Sequence, residues 1–202
     1  MIVEVIATIG WVSLFAFWIM IPAYIPNSAA ALLGGGTPID FGKCAKDGRR
    51  VFGDGKTWRG LIGGIIVGII FGLFQIFLYN SFHLTFLPEH SLWTIIPLSI
   101  GALLGDLAKS YFKRRLGKDR GSKWPIADMY DMVVGSLVLM VIIMLISSGT
   151  SWFTDYLIDP RGFLPSPWFS LAVLVAIFVI SPILHRGANI IAYMFKLKDV
   201  PW

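Results

Sequence analysis

Long apolar stretches separated by short polar ones dominate the chain. The stretches at about 2–25, 61–80, 92–112, 131–148 and 169–185 carry few charges. Each approaches the roughly 20 residues that an α-helix needs to cross a hydrocarbon core about 30 Å thick. A closed β-barrel would instead alternate polarity over segments of about 10 residues, and no such alternation is visible. The pattern predicts an all-α integral membrane protein of about five transmembrane helices, a single multi-pass domain over 1–202. Composition agrees: 56% of the residues are hydrophobic and 14% charged, against about 25% charged in soluble domains, and the mean hydropathy is +0.73. The first basic residue is Lys43, so the start of the chain lacks the basic region of a cleavable signal and reads as a retained span.

Charge gives the sidedness. Of the 17 Lys and Arg residues, six lie in 34–60, six in 113–128 and three after the fifth span, with Lys109 on the same side and only Arg161 opposite. Basic residues collect on the cytoplasmic side. The expected topology is therefore a cell-membrane protein with its N-terminus outside, its C-terminus cytoplasmic, and cytoplasmic loops at about 34–60 and 113–130 that form the active site. Trp93, Trp152 and Trp168 fall where interfacial anchors belong, and the loop 149–168, with Pro160, Pro165 and Pro167, reads as a stiff connector. The lone Cys44 has no partner for an intrachain disulfide and reads as an ordinary loop cysteine.

The acidic residues among these bases raise the question of chemistry. Asp106, Lys109, Ser110 and Lys113 stand at i, i+3, i+4 and i+7, one face of a helix, and a polar stripe inside a span is costly unless it faces a cavity or an ion. Asp128 and Asp131, just after Pro125, share a face at the start of span four. Together with Asp106 they make a set of hard oxygen ligands of the kind Mg²⁺ takes alongside substrate phosphates. Residues 53–60 read GDGKTWRG. A P-loop would need glycine at position 50, where the chain has Arg50, and would follow a strand; here the run leads into a span. Its glycines, Gly53 and Gly55, still permit close backbone approach to an anion, and Lys56, Thr57 and Arg59 are spaced to grip a polyphosphate. Gly64, Gly68 and Gly72 form a small-residue ridge for close packing, either within the chain or between protomers of a homodimer. Of the histidines, His83 and His90 fall outside and His185 ends the fifth span, so a histidine general base is not expected on the charged side.

Two motifs in order resemble the CDP-diacylglycerol synthases. One is the signature carried by Ser110, Phe112, Lys113, Arg114, Lys118, Asp119, Pro125, Asp128 and Asp131; the other is the run from Gly55 to Gly64. The first motif is one residue shorter than the bacterial pattern between its basic clusters. Trp124-Pro125-Ile126-Ala127 replaces the bacterial His-Gly-Gly, and the chain is shorter. With TPIDFGK and DGRRVFGDGKTWRG, this looks like the archaeal branch, the CDP-archaeol synthases.

The resemblance implies that CTP and 2,3-bis-O-(geranylgeranyl)-sn-glycerol 1-phosphate give CDP-archaeol and pyrophosphate with Mg²⁺. The mechanism expected from these residues puts metal on Asp106, Asp128 and Asp131, and Lys113 and Arg114 on the α-phosphate or lipid phosphate. Lys56, Thr57 and Arg59 would then take the outer phosphates, with Ser110 and Asn27 as further substrate contacts. Expected partners are CTP, the lipid phosphate and the bilayer; the basic loops are short and lie against the membrane, which argues against nucleic acid. A CDP-diacylglycerol synthase acting on phosphatidate, a transporter or a lipid-binding scaffold stay open as alternatives.

Overall fold

A computed structural model describes residues 2–119, 121–146 and 167–196. Within them lie five helices: α1 (Ile2–Leu33), α2 (Trp58–Ser81), α3 (Leu92–Arg115), α4 (Pro125–Ile146) and α5 (Pro167–Met194). All five are long and apolar enough to cross a membrane. The connector expected over 149–168 lies, apart from the start of α5, outside the described residues, as do the side chains of Trp152, Arg161 and Trp168.

Three helices begin or end differently from the apolar pattern: α1, α4 and α5, the last running on to Met194 instead of ending near 185. α1 runs on to Leu33, and at about 1.5 Å per residue its 32 residues exceed the hydrocarbon thickness. α4 starts at Pro125, a residue preadapted to a first helical turn. The Asp128 carboxylate there accepts a hydrogen bond from the Trp124 N–H at 2.8 Å. Hydropathy alone begins that helix at its apolar part and misses its charged first turns.

α1 packs against α2, α3 and α5, and α3 packs along α4. The apolar core between them includes Phe15, Ile19, Met20, Leu98, Val133 and Ile177. Pro22 and Pro26 lie inside α1. Each lacks an N–H, so the carbonyls four residues earlier, on Trp18 and Pro22, lose their helical donors. Other elements supply replacements. Gln75 Nε2 of α2 donates to Trp18 O at 2.9 Å. Ser99 Oγ of α3 lies 3.0 Å from Pro22 O and 2.8 Å from Ile95 O, its one proton serving either. His90, buried beside Trp18, is held neutral near pH 7, its pKa pushed down to about 4 by burial.

Glycine seams set the helix spacing. A Cβ on Gly64 would lie 2.6 Å from Pro26 O, and one on Gly72 would lie 2.6 Å from Ile95. The ridge on α2 therefore packs within the chain, against α1 and α3. Between α3 and α4, a Cβ on Gly101 would lie 2.6 Å from Gly135 O, one on Gly135 2.7 Å from the Gly105 Cα, and one on Gly105 would collide with Asp131 O. The two backbones are in contact, and this contact sets Asp106 of α3 beside Asp131 of α4.

Gly135→Ala tests that seam. The added methyl has no free space, and overpacking of this kind costs about 1–3 kcal/mol. The expected result is a lower unfolding temperature in detergent, together with lost turnover as the helices part. An unchanged melting curve would mean that α3 and α4 tolerate a wider spacing.

Candidate active site

The segment between α1 and α2 is an ordered clasp built around one carboxylate. Asp40 accepts hydrogen bonds from the N–H groups of Gly42 at 3.1 Å, Phe52 at 3.0 Å and Gly53 at 3.0 Å. It also accepts from Arg50 Nε at 3.2 Å and from Arg50 Nη2. Burial alone raises a carboxyl pKa; the bonds from Arg50 and the three N–H groups outweigh it and hold Asp40 well below the usual carboxylate range. Arg50 also pairs with Asp54. The basic residue that breaks the P-loop pattern is thus the clasp's internal cation, and isolated bridges join Pro38 to Thr57 and Cys44 to Arg50. Cys44 is exposed and free.

Gly53, with φ +96, makes the turn that delivers Lys56. The Lys56 N–H donates to Gly53 O at 3.1 Å, and Lys56 O accepts from Ile39 N at 2.8 Å. Thr57 caps α2, its hydroxyl accepting from Gly60 N at 3.2 Å. Arg115, at the end of α3, ties the clasp to the bundle through Asp47 at 2.7 Å and Arg49 O at 3.1 Å. The basic segments at 43–59 and 113–123 therefore meet at one end of the molecule.

There Lys56 pairs with Asp106, a carboxylate only 5% exposed. Lys109 Nζ sits among three carboxylates: Asp131 at 2.6 Å, Asp106 at 3.2 Å and Asp128 at 3.5 Å. Lys113 pairs with Asp128 at 2.6 Å and donates to Ser122 O at 2.9 Å. The stripe on α3 and the pair on α4 thus form one network of three lysines and three aspartates.

A cavity of about 930 Å³ opens against this network. Its charged end is lined by Lys56, Thr57, Asp106, Lys109, Lys113 and Asp128, with Asn27 and Gly55 beside them. Farther along α1 and α2 the same cavity is apolar, between Phe17, Trp18, Phe71, Phe74 and Leu78. Other candidates lie off the lining. Ser110 Oγ donates back to Asp106 O at 2.9 Å, and Arg59 Nε closes the end of α1 by donating to Leu33 O at 2.8 Å. Asp131 stands behind Lys109. The Arg114 Nε is buried with no hydrogen-bond partner, 3.8 Å from where a Cβ on Gly53 would stand.

The carboxylates suit a hard divalent cation in kind. They already surround a cationic group, and Asp131 Oδ1 is buried without a hydrogen-bond partner, an unusual and costly state for a carboxylate oxygen. Among the described residues no three acidic, His or Cys side chains stand at ligating spacing; the Lys109 ammonium occupies the middle of the set.

Comparisons with known proteins identify the family. The family described as "CarS-like: CDP-archaeol synthase" matches residues 8–153. The chain belongs to the CDP-archaeol synthase family. A CDP-archaeol synthase of Methanocorpusculum labreanum is 69% identical over 183 residues, covering 91% of this chain and 100% of that protein. The one of Methanoculleus marisnigri is 50% identical with the same coverage. A solved structure described as an intramembrane enzyme for archaeal membrane lipids biosynthesis superposes with a TM-score of 0.62 at 30% identity, covering 87% of this chain and 92% of that one. As a member of the CDP-archaeol synthase family with five such helices, the chain is a multi-pass membrane protein.

Sequence reading did not single out Lys109 as the centre of the network, Asp40 as the centre of the clasp, or the fifth helix as a wall of the cavity. Its spacing on the stripe exposed Lys109. Asp40 gave no local signal, because its partners lie 2 to 13 residues away along an irregular loop.

Asp40→Ala should release the clasp, with faster proteolysis at Lys43, Lys46 and Arg49 while the helices stay protected. The sign of the pH dependence follows from the depressed pKa. The stabilisation is fully present above the unfolded value of about 3.9 and is lost only as pH falls towards the lower folded value. The protection of the Phe52 and Gly53 amides, taken relative to their intrinsic exchange rates, should therefore be retained at pH 5 and lost only in stronger acid.

Proposed function

We propose that this protein transfers the cytidylyl group of CTP to a membrane lipid phosphate, 2,3-bis-O-(geranylgeranyl)-sn-glycerol 1-phosphate, giving CDP-archaeol and pyrophosphate. The observation that carries this reading is one cavity with two characters. Its charged end brings a glycine-rich phosphate run, Gly53 to Lys56, against lysines and carboxylates, while its other end is an apolar groove along α1 and α2. A triphosphate suits the first and a lipid chain the second. Family membership supports the same pairing of substrates.

In the proposed reaction an anionic oxygen of the lipid phosphate attacks the α-phosphorus of CTP in line. The new P–O bond forms as the bond to the β-phosphate oxygen breaks, and pyrophosphate leaves with that electron pair. The nucleophile is already deprotonated at neutral pH, so the main barrier is repulsion between two anions. Lys56 and the backbone at Gly55, which lines the cavity, hold the outer phosphates, Arg114 joins them from beside Gly53, and Lys113 steadies the α-phosphate. Before metal binds, Lys109 neutralises the carboxylates and keeps them in position. Asp106, Asp128 and Asp131 would hold Mg²⁺ in place of the Lys109 ammonium, and the ion would lower the charge on the triphosphate and the leaving pyrophosphate. The positive-inside charge pattern supports a cytoplasmic position for this end of the bundle, where CTP is dissolved.

Purified protein given Mg²⁺, CTP and the lipid phosphate should release pyrophosphate only when all three are present. Phosphatidate in place of the isoprenoid lipid tests the choice of chain. Release without lipid, or none from folded protein with either lipid, would defeat the proposal. Asp131→Asn should lower turnover on the order of 100-fold or more in protein that still melts cooperatively in detergent, even if at a lower temperature; near-normal turnover would remove Asp131 from the mechanism.

A further inference from the structure

The fifth helix contributes a polar wall that the reaction scheme above does not use. His185 and Asn189, one turn apart on α5, are joined by a hydrogen bond of 2.9 Å between His185 Nε2 and Asn189 Nδ2. Both line the same cavity as Lys109 and Asp128. Asn189 is buried, 6% exposed, and both residues lie within the apolar span Leu171–Ile190. Polar side chains at that depth are retained where they face a cavity or a ligand. One turn earlier, Ser181 is bonded to Tyr24 at 2.8 Å, which closes the contact of α5 with α1. Beyond that closure the α5 wall continues along the cavity.

We infer that His185 and Asn189 bind the phosphomonoester headgroup of the lipid acceptor. The inference rests on the reaction proposed above and assigns one side of its site. The nucleotide contacts come from the clasp and α3. A pair in the last turns of the apolar span, where lipid headgroups lie, in a cavity that continues into the apolar groove, faces the substrate that is itself anchored in the bilayer. The chemistry suits that substrate. Asn189 donates to Nε2, so a neutral His185 ring carries its proton on Nδ1. Imidazole and amide donors orient a phosphate without cancelling its charge.

The test is a split of kinetic constants. Pyrophosphate release is measured for wild type, His185→Gln and Asn189→Ala, varying in turn CTP and whichever lipid phosphate supports wild-type turnover. The expected result is an apparent KM for the lipid phosphate raised about 10-fold, a nearly unchanged KM for CTP, and a CTP-induced rise in Tm equal to that of wild type. If either variant fails to fold, the other, which leaves its partner in place, gives the same readout. A raised KM for CTP would assign the pair to the nucleotide and overturn the inference, and so would two unchanged KM values. Wild-type protein that releases no pyrophosphate would defeat the parent reaction, and this inference with it. Wild-type turnover with unshifted variants would defeat the inference alone.

Discussion

A charged group at the depth of a membrane span has to be neutralised by a group that is also there. Burial costs several kcal/mol per ion, and removing one partner of a buried pair costs about 3–5 kcal/mol. The bundle's charged end meets that constraint with Lys109, which touches Asp106, Asp128 and Asp131 at once. Such a contact requires α3 and α4 to lie closer than side chains normally permit. Gly101, Gly105 and Gly135 provide the approach, so the packing of the helices and the electrostatics of the site are one design. Lys113 and Lys56 extend the network to the rim, where it meets solvent and the clasp.

Much of this was legible in the chain, for reasons that differ by residue. The helices could be read because a bilayer imposes a minimum apolar length. The stripe from Asp106 to Lys113 could be read because helical periodicity is local, and the Asp128–Asp131 pair for the same reason. The glycine ridge on α2 was visible, but its partner was not: a small-residue stripe says that something approaches closely, and only the packing shows Pro26 and Ile95 against it. Arg59 looked like a phosphate ligand by its neighbours in sequence, yet its guanidinium closes the end of α1. Asp40 and the α5 wall were invisible for a common reason, since each acts through contacts that no periodicity encodes.

The clasp and the bundle solve different problems. The bundle satisfies its backbone within helices and positions groups by close packing, as hydrocarbon surroundings require. The clasp is irregular backbone outside the spans, and it satisfies its N–H groups on a single carboxylate instead. Lys56 passes from one regime to the other: its backbone belongs to the clasp and its side chain to the buried network. Arg115 fastens the two from the opposite direction.

The prolines of α1 carry a consequence for how such a sequence can change over evolutionary time. Pro22 leaves the Trp18 carbonyl to Gln75, and Pro26 leaves the Pro22 carbonyl within reach of Ser99. Neither member of such a pair drifts freely. Replacing Pro22 restores the helical bond and takes the carbonyl from the buried Gln75 amide, and replacing Gln75 takes that amide from the carbonyl; Ser99 keeps Ile95 O as a second acceptor, so the Pro26 pair is the looser one. In the Pro22–Gln75 pair each change is harmful alone and tolerable only with its complement, an epistatic lock that binds the ancestry of α1 to that of α2.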